Sequence, residues 1–141
     1  MSGAQPAAPS GVHHVAVLVR NLAAAEAFYG GVLGLPVLRR WPADPALPAG
    51  PERSIWLDTG GGDFLALERA GDDADTTAGG SGLHLFALRI PAGDRAAWEK
   101  RLASAGVAIY RRTDYTVYVR DPEGNRVGLS HWPDVPDEVN G

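Results

Sequence analysis

HVAVLVRNLAAAEAFYGGVLGLPV, residues 14–37, predicts a β-strand that runs directly into an amphipathic helix. Apolar and other residues alternate through residues 12–20, as they do in a strand with one buried face. Asn21 is a residue type that caps helices, and the apolar residues of 22–32 recur at helical spacing. Gly34 stands where the helix must stop. A strand that leads into a helix is therefore the first unit of the fold.

The rest of the chain repeats this unit. Three short strand-like stretches follow it, and a second strand begins with LHLFALRI, residues 83–90. A second helix and three more strand-like stretches then lead to NRVGLS, residues 125–130. Each half thus reads strand, helix, strand, strand, strand, and internal repeats of this size indicate a duplicated module. The sequence predicts two βαβββ modules, at about residues 11–70 and 82–132.

Two correspondences support the repeat. His14 falls on His84 at a shift of 70 residues, and Ala66 falls on Gly128 at a shift of 62. A glycine inside a strand gives up packing, and it marks a bulge or a place where something approaches closely. Because Ala66 is also very small, both modules have a small residue at the equivalent position of their last strand.

The modules make a single predicted domain, residues 11–132. Residues 71–81 form a polar linker between the modules, and residues 1–10 and 133–141 are predicted as disordered tails. A chain of 141 residues is long enough to fold as one domain.

Composition excludes several classes of function. The chain contains no cysteine, which removes disulfides, thiolate ligands and thiol nucleophiles. The net charge is −4 and the basic residues are scattered, so nucleic acid is not an expected partner. The first ten residues do not resemble a signal peptide, and no apolar run is long enough for a membrane span. We expect a cytoplasmic protein.

The combination of HVAVLVRNLAAAEAFYGGVLGLPV, a strand ending in LALE, LHLFAL, and YVRDPEGNRVGLS resembles the vicinal oxygen chelate superfamily. That superfamily includes glyoxalase I, extradiol dioxygenases, and fosfomycin and bleomycin resistance proteins. The resemblance implies an α+β fold in which the two modules form a curled mixed sheet around a central cleft, with the helices on the outer face. It implies no single activity, because this fold hosts lyases, epimerases, oxygenases and binding proteins.

The same resemblance implies where a metal would bind. The ligand positions of the family fall on His14, Ala66, His84 and Gly128, and glutamates are usual at the second and fourth of them. The two acidic ligands are therefore missing. Two imidazoles alone leave a divalent ion short of the third protein ligand that such sites ordinarily have.

Glu68 is the one candidate replacement. It follows Ala66 by two residues and faces the same way, about 6.6 Å further along the strand. A bulge would close the remaining distance and complete a site of His14, His84 and Glu68. Glu68 would then be a third ligand, or the base for a substrate chelated through vicinal oxygens. The alternative is that Glu68 is a solvent-exposed residue at the end of its strand with no role in the site.

The cleft also gains room from the lost carboxylates. We predict that its ligand-binding residues are Trp56, Phe86, Tyr118 and Gly128. Aromatic walls with a few polar groups are typical of sites for flat, partly apolar small molecules.

Three functions remain open at this point. The favoured one is binding or sequestration of a small molecule by a degenerate metal site, as in bleomycin resistance proteins. The alternative is a metal-dependent lyase, isomerase or dioxygenase, which uses weakly held Fe, Zn, Ni or Mn. The third is a metal-free enzyme that works by general acid and base groups. The sequence does not decide whether the protein is an enzyme. No nucleotide cofactor and no membrane partner are expected, and the resemblance implies a homodimer.

Overall fold

The structure is a computed structural model, and it describes residues 6–7, 11–71 and 83–136. The predicted linker and both predicted tails lie mostly outside these residues. No helix in these three ranges is long and apolar enough to cross a membrane.

The elements follow the predicted order in both modules. In the first module they are β1 (His14–Val19), α1 (Leu22–Glu26) with a π-helical continuation (Ala27–Val32), β2 (Val37–Pro42), β3 (Glu52–Asp58) and β4 (Phe64–Arg69). In the second module they are β5 (Phe86–Arg89), a 3-10 turn (Ala92–Asp94), α2 (Arg95–Ser104), β6 (Ile109–Arg112), β7 (Thr116–Arg120) and β8 (Arg126–Ser130). The predicted βαβββ repeat is confirmed.

The helix boundaries have local causes in the sequence. The Asn21 side chain accepts a hydrogen bond of 2.9 Å from the backbone N–H of Ala24, which caps α1. Gly34 and Gly106 follow the two helices with φ of 79° and 74°, a conformation that glycine adopts without strain. The capping residue and the terminating glycines act as the sequence predicts.

The strands form two four-stranded mixed sheets, with orders β1-β4-β3-β2 and β5-β8-β7-β6. In each sheet the first strand of the module runs parallel to the last, and the other neighbours are antiparallel. The α+β class is therefore confirmed. Within the described residues no ladder joins the two sheets, so they do not close into one continuous sheet.

Both modules contribute to one hydrophobic core. From the first module it takes Val17, Val19 and the buried side of the helix, and from the second it takes Leu102, Val127 and Leu129. Burial of such side chains contributes about 1.5–3 kcal/mol each. The buried residues of the two modules thus form one connected cluster, and one face of each sheet packs against it.

A buried hydrogen bond joins the modules inside this core. Tyr29 is fully buried, and its hydroxyl donates to the Asp121 carboxylate at 2.7 Å. The same carboxylate accepts from the backbone N–H groups of Glu123 and Asn125, which fixes the β7–β8 turn. Burial, and then the neighbouring Asp121, raise the pKa of Tyr29 above its ordinary value, so its hydroxyl stays protonated.

Glu123 makes a second link across the modules. Its carboxylate accepts from the backbone N–H of Arg20 at 2.7 Å and from that of Asn21 at 3.3 Å. These N–H groups stand at the start of α1, where backbone donors lack partners within the helix. The turn DPEG therefore positions the second module against the first helix.

We expect Tyr29→Phe to lower the free energy of unfolding by about 1–2 kcal/mol, because the buried Asp121 loses one of its donors. Urea unfolding followed by circular dichroism measures the change. Tyr110→Phe is the matched control, since Tyr110 is 42% exposed. Equal stabilities of the two variants would contradict the role given to the Tyr29–Asp121 bond.

Candidate functional site

Each sheet has one face on the shared core and one face turned away from it. On β4, for example, Leu65 and Leu67 belong to the core, and Ala66 alternates with them on the other side. We call the two faces that are turned away from the core the first open face, in the first module, and the second open face, in the second module. The first open face carries His14, Ala16, Leu18, Arg39, Trp41, Ser54, Trp56, Phe64, Ala66 and Glu68. The second carries Ala87, Arg89, Arg111, Thr116, Tyr118, Arg120, Arg126, Gly128 and Ser130.

The middle row of each open face has the same composition. Strand pairing places two small residues, one aromatic residue and one arginine side by side across the sheet. The rows are Ala16–Ala66–Trp56–Arg39 on the first face and Ala87–Gly128–Tyr118–Arg111 on the second. A register irregularity precedes the arginine in both sheets. The duplication thus extends to the side chains of the open faces.

An array of stacked rings crosses the first open face. The ring of Trp56 stacks on Phe64 with centroids 4.4 Å apart, and Phe64 stacks on His14 at 4.8 Å. On the other side of Trp56 lies Trp41, at 5.2 Å, and the guanidinium of Arg39 covers the Trp41 ring at 3.7 Å. These contacts fix Trp56 beside the row of small residues.

Two polar atoms on this face are buried without a hydrogen-bond partner. They are Nε1 of Trp41 and Oγ of Ser54, and the two residues are directly paired across β2 and β3. Glu68 is the next residue in the same row, since it pairs with Ser54. Buried polar groups are nearly always hydrogen-bonded in folded proteins.

The predicted third metal ligand lies far from the first. Phe64 pairs with His14 and Glu68 pairs with Leu18, so Glu68 stands four residues along the strands from His14. Four residues span about 13 Å. The bulge that would shorten this distance is absent, because the β1–β4 pairing runs without a shift.

His84 is offset from the predicted position by one residue. Ala16 pairs with Ala66, and Ala87 pairs with Gly128. Because Ala66 and Gly128 are equivalent positions of the two modules, Ala87 is the counterpart of Ala16, at a shift of 71 residues and not 70. If this register continues past the start of β5, Leu85, and not His84, is the counterpart of His14. His84 precedes β5, and its Nδ1 lies 3.5 Å from a guanidinium nitrogen of Arg126.

The donors therefore do not fit a metal centre. The His14 ring contacts its neighbour His13, with the two Nδ1 atoms 2.9 Å apart, and it stacks on Phe64. Nowhere in the described ranges do three His, Cys, Asp or Glu side chains come together as a metal site requires.

The predicted ligand-binding residues are divided among three places. Trp56 lies on the first open face, and Tyr118 and Gly128 are neighbours on the second. Phe86 instead faces the core, where its ring lies 6.1 Å from that of Tyr29. Phe86 also lines a cavity of about 200 Å³ between the modules, together with Phe64 and Ala87.

Gly128 allows the close approach that a glycine inside a strand indicates, but the groups that approach are side chains of its own sheet. A Cβ atom at this position would lie 3.2 Å from Cγ2 of Thr116 and 3.3 Å from Cβ of Ala87. The space beside the glycine is thus filled by its neighbours, and it is not an empty ligand pocket. The absence of a side chain allows Thr116 and Ala87 to close over the strand.

The sequence of the chain matches one family model. The family is described as the Glyoxalase/Bleomycin resistance protein/Dioxygenase superfamily, and the match covers residues 11–129. No curated protein matches the chain.

Solved structures show the same fold. A glyoxalase/dioxygenase from Nostoc punctiforme has a TM-score of 0.74 and 23% identity, over 94% of this chain and 100% of that one. A lactoylglutathione lyase from Agrobacterium tumefaciens has a TM-score of 0.61 and 24% identity, over 89% and 96%. A mutant of the fosfomycin resistance protein FosX from Listeria monocytogenes, complexed with Mn(II) and dihydroxypropylphosphonic acid, has a TM-score of 0.63 and 14% identity, over 87% and 90%.

We expect Gly128→Glu to lower the free energy of unfolding by about 1–3 kcal/mol, because the new side chain must displace Thr116 or Ala87. It should also fail to create tight Zn²⁺ binding, which isothermal titration calorimetry measures. Gly93→Glu is the control, since a Cβ at Gly93 meets nothing within 4 Å. A strong gain in Zn²⁺ affinity in Gly128→Glu would show that the position faces the histidines after all.

Proposed function

The chain belongs to the Glyoxalase/Bleomycin resistance protein/Dioxygenase superfamily, and on that premise we propose that it binds a small, planar, partly apolar molecule without a metal. The binding surface is the first open face. Binding or sequestration, rather than turnover, is the function that its side chains support best.

The observation that carries this proposal is a strip of two small residues, Ala16 and Ala66, beside an aromatic wall formed by the stacked rings of Trp56 and Phe64. Ala16 is exposed and leaves β1 uncovered by a long side chain, and Trp56 stands two strands away across the small, buried Ala66. The contact of Trp56 with Phe64 holds the indole in place before a ligand arrives. A flat molecule can then lie on the strip with its edge or face against the indole, at little cost in side-chain ordering.

Polar groups at one side of the strip would orient the ligand. The unpartnered Nε1 of Trp41 and Oγ of Ser54 are buried, and they would become donors for an acceptor on the ligand if the Trp41 ring moved to expose them. The half-buried Glu68, which has no ion pair within the described ranges, would accept from a donor group. A few placed polar groups in an apolar surface are what fixes orientation in small-molecule sites.

The metal-dependent alternative finds no comparable support. A chelating site needs several donors around one point, whereas His14 and Glu68 are separated by four residues of an unbroken ladder. The proposed role of His14 is to extend the aromatic wall through its stack on Phe64.

We expect Trp56→Ala to weaken the binding of a neutral planar probe, naphthamide, by roughly tenfold, because the probe loses its aromatic wall. Tryptophan fluorescence quenching or calorimetry measures the affinity. Trp132→Ala is the control, because Trp132 is 64% exposed and lies beyond β8. Binding that appears only after addition of Zn²⁺, Mn²⁺, Fe²⁺ or Ni²⁺ would contradict a metal-free site.

We also propose that the protein acts as a homodimer. The two sheets do not close into one, and the first open face exposes apolar surface such as Leu18, which is 47% exposed. A second copy would cover this surface and complete a cleft over the strip.

Light scattering after gel filtration should therefore give about twice the mass of one chain. Leu18→Arg should shift the protein toward the mass of a single chain, because a charge replaces an apolar contact. Lys100→Arg, an exposed change on α2, should not. A single-chain mass for the unaltered protein at all concentrations would contradict the dimer.

A further inference from the structure

The second open face concentrates positive charge in a protein whose net charge is −4. Each of its four strands places one arginine on this face: Arg89 from β5, Arg111 from β6, Arg120 from β7 and Arg126 from β8. The strands β5 to β8 contain no aspartate or glutamate. Randomly scattered surface charge does not produce such a patch, in which every strand of the sheet places a positively charged side chain on the same face.

Rings and a backbone carbonyl contact three of these arginines. Arg111 lies over the ring of Tyr118 at 5.6 Å, and Arg120 lies over Tyr110 at 4.7 Å and donates to the backbone carbonyl of Gly124 at 3.2 Å. Arg126 approaches the His84 imidazole. Throughout the described ranges, none of the four is in an ion pair with a carboxylate.

This arrangement matters energetically. An arginine paired with a carboxylate offers little to a ligand, since binding must first break the pair. Guanidinium groups that are oriented by rings and carbonyls keep their charge and most of their N–H donors available. Carboxylates are the planar anions that a guanidinium binds through two parallel hydrogen bonds.

The dimensions of the patch favour a small ligand. Its four strands span about 14 Å, and its rows from Arg126 to Ser130 span about 13 Å. The middle row, where Ala87 and Gly128 lie beside Tyr118, is flat and apolar. A polyanion such as a nucleic acid would meet net negative charge on the rest of the protein.

We propose that the second open face binds a small planar organic anion, of the class of aromatic carboxylates, with its ring beside Tyr118 and its carboxylate on the surrounding arginines. This inference goes beyond the proposed function, because it assigns the second open face a binding site of its own, separate from that on the first open face.

The test compares naphthoate with its neutral amide, which has nearly the same shape. Naphthoate should bind about tenfold more tightly than naphthamide, and this advantage should shrink as NaCl is raised. The double variant Arg111→Gln/Arg126→Gln should lose the advantage and keep its affinity for naphthamide. Lys100→Gln changes the charge by one unit at a site on α2, and it should keep the advantage.

Several results would overturn the inference. Equal affinities of the unaltered protein for the two probes would show that the second open face does not select an anion, and the proposed function would be unaffected. A naphthoate advantage that survives in the arginine variant would place the anion elsewhere. A single-stranded oligonucleotide that binds more tightly than naphthoate would show that the patch serves a polyanion. Failure of both probes to bind would overturn the proposed function as well.

Discussion

The shared hydrophobic core is the constraint on which the rest of the structure depends. Each sheet turns its apolar face to one interior, and the buried bond from Tyr29 to Asp121 fixes the two modules relative to each other there. Because strand side chains alternate, the choice of face for the core decides what the opposite face carries. Val127 and Leu129 inside require that Arg126 and Gly128 lie outside. The open faces are therefore a direct consequence of how the core is built.

The two open faces have diverged from one plan. Both keep two small residues, an aromatic residue and an arginine in their middle row, but their surroundings differ. The first has a row of stacked rings with two buried polar atoms, which suits the flat body of a ligand. The second has four arginines without acidic partners among the described residues, which suits a charged group. Ala66 and Gly128 occupy the positions where the family resemblance implies carboxylates, and each lies beside the aromatic residue of its row.

Much of the fold followed from local patterns in the sequence, and the candidate site followed only in part. Alternation and helical spacing predicted both modules, and the equivalence of Ala66 and Gly128 is confirmed by their pairing with Trp56 and Tyr118. The shift of 70 for β5 was wrong by one residue, because it matched two identical histidines, whereas register is set by backbone hydrogen bonds. The same slip placed Phe86 on the wrong side of its strand. The arginine patch is assembled from four separate strands, so no single stretch of sequence contains it.

The one-residue offset before β5 also bears on how such a protein could change over generations. Loss of Leu85 alone would bring His84 into the position that matches His14, with no other substitution in the strand. Deletion of this single codon would bring two imidazoles to matching positions of the two sheets, which is still one protein ligand fewer than such metal sites ordinarily have.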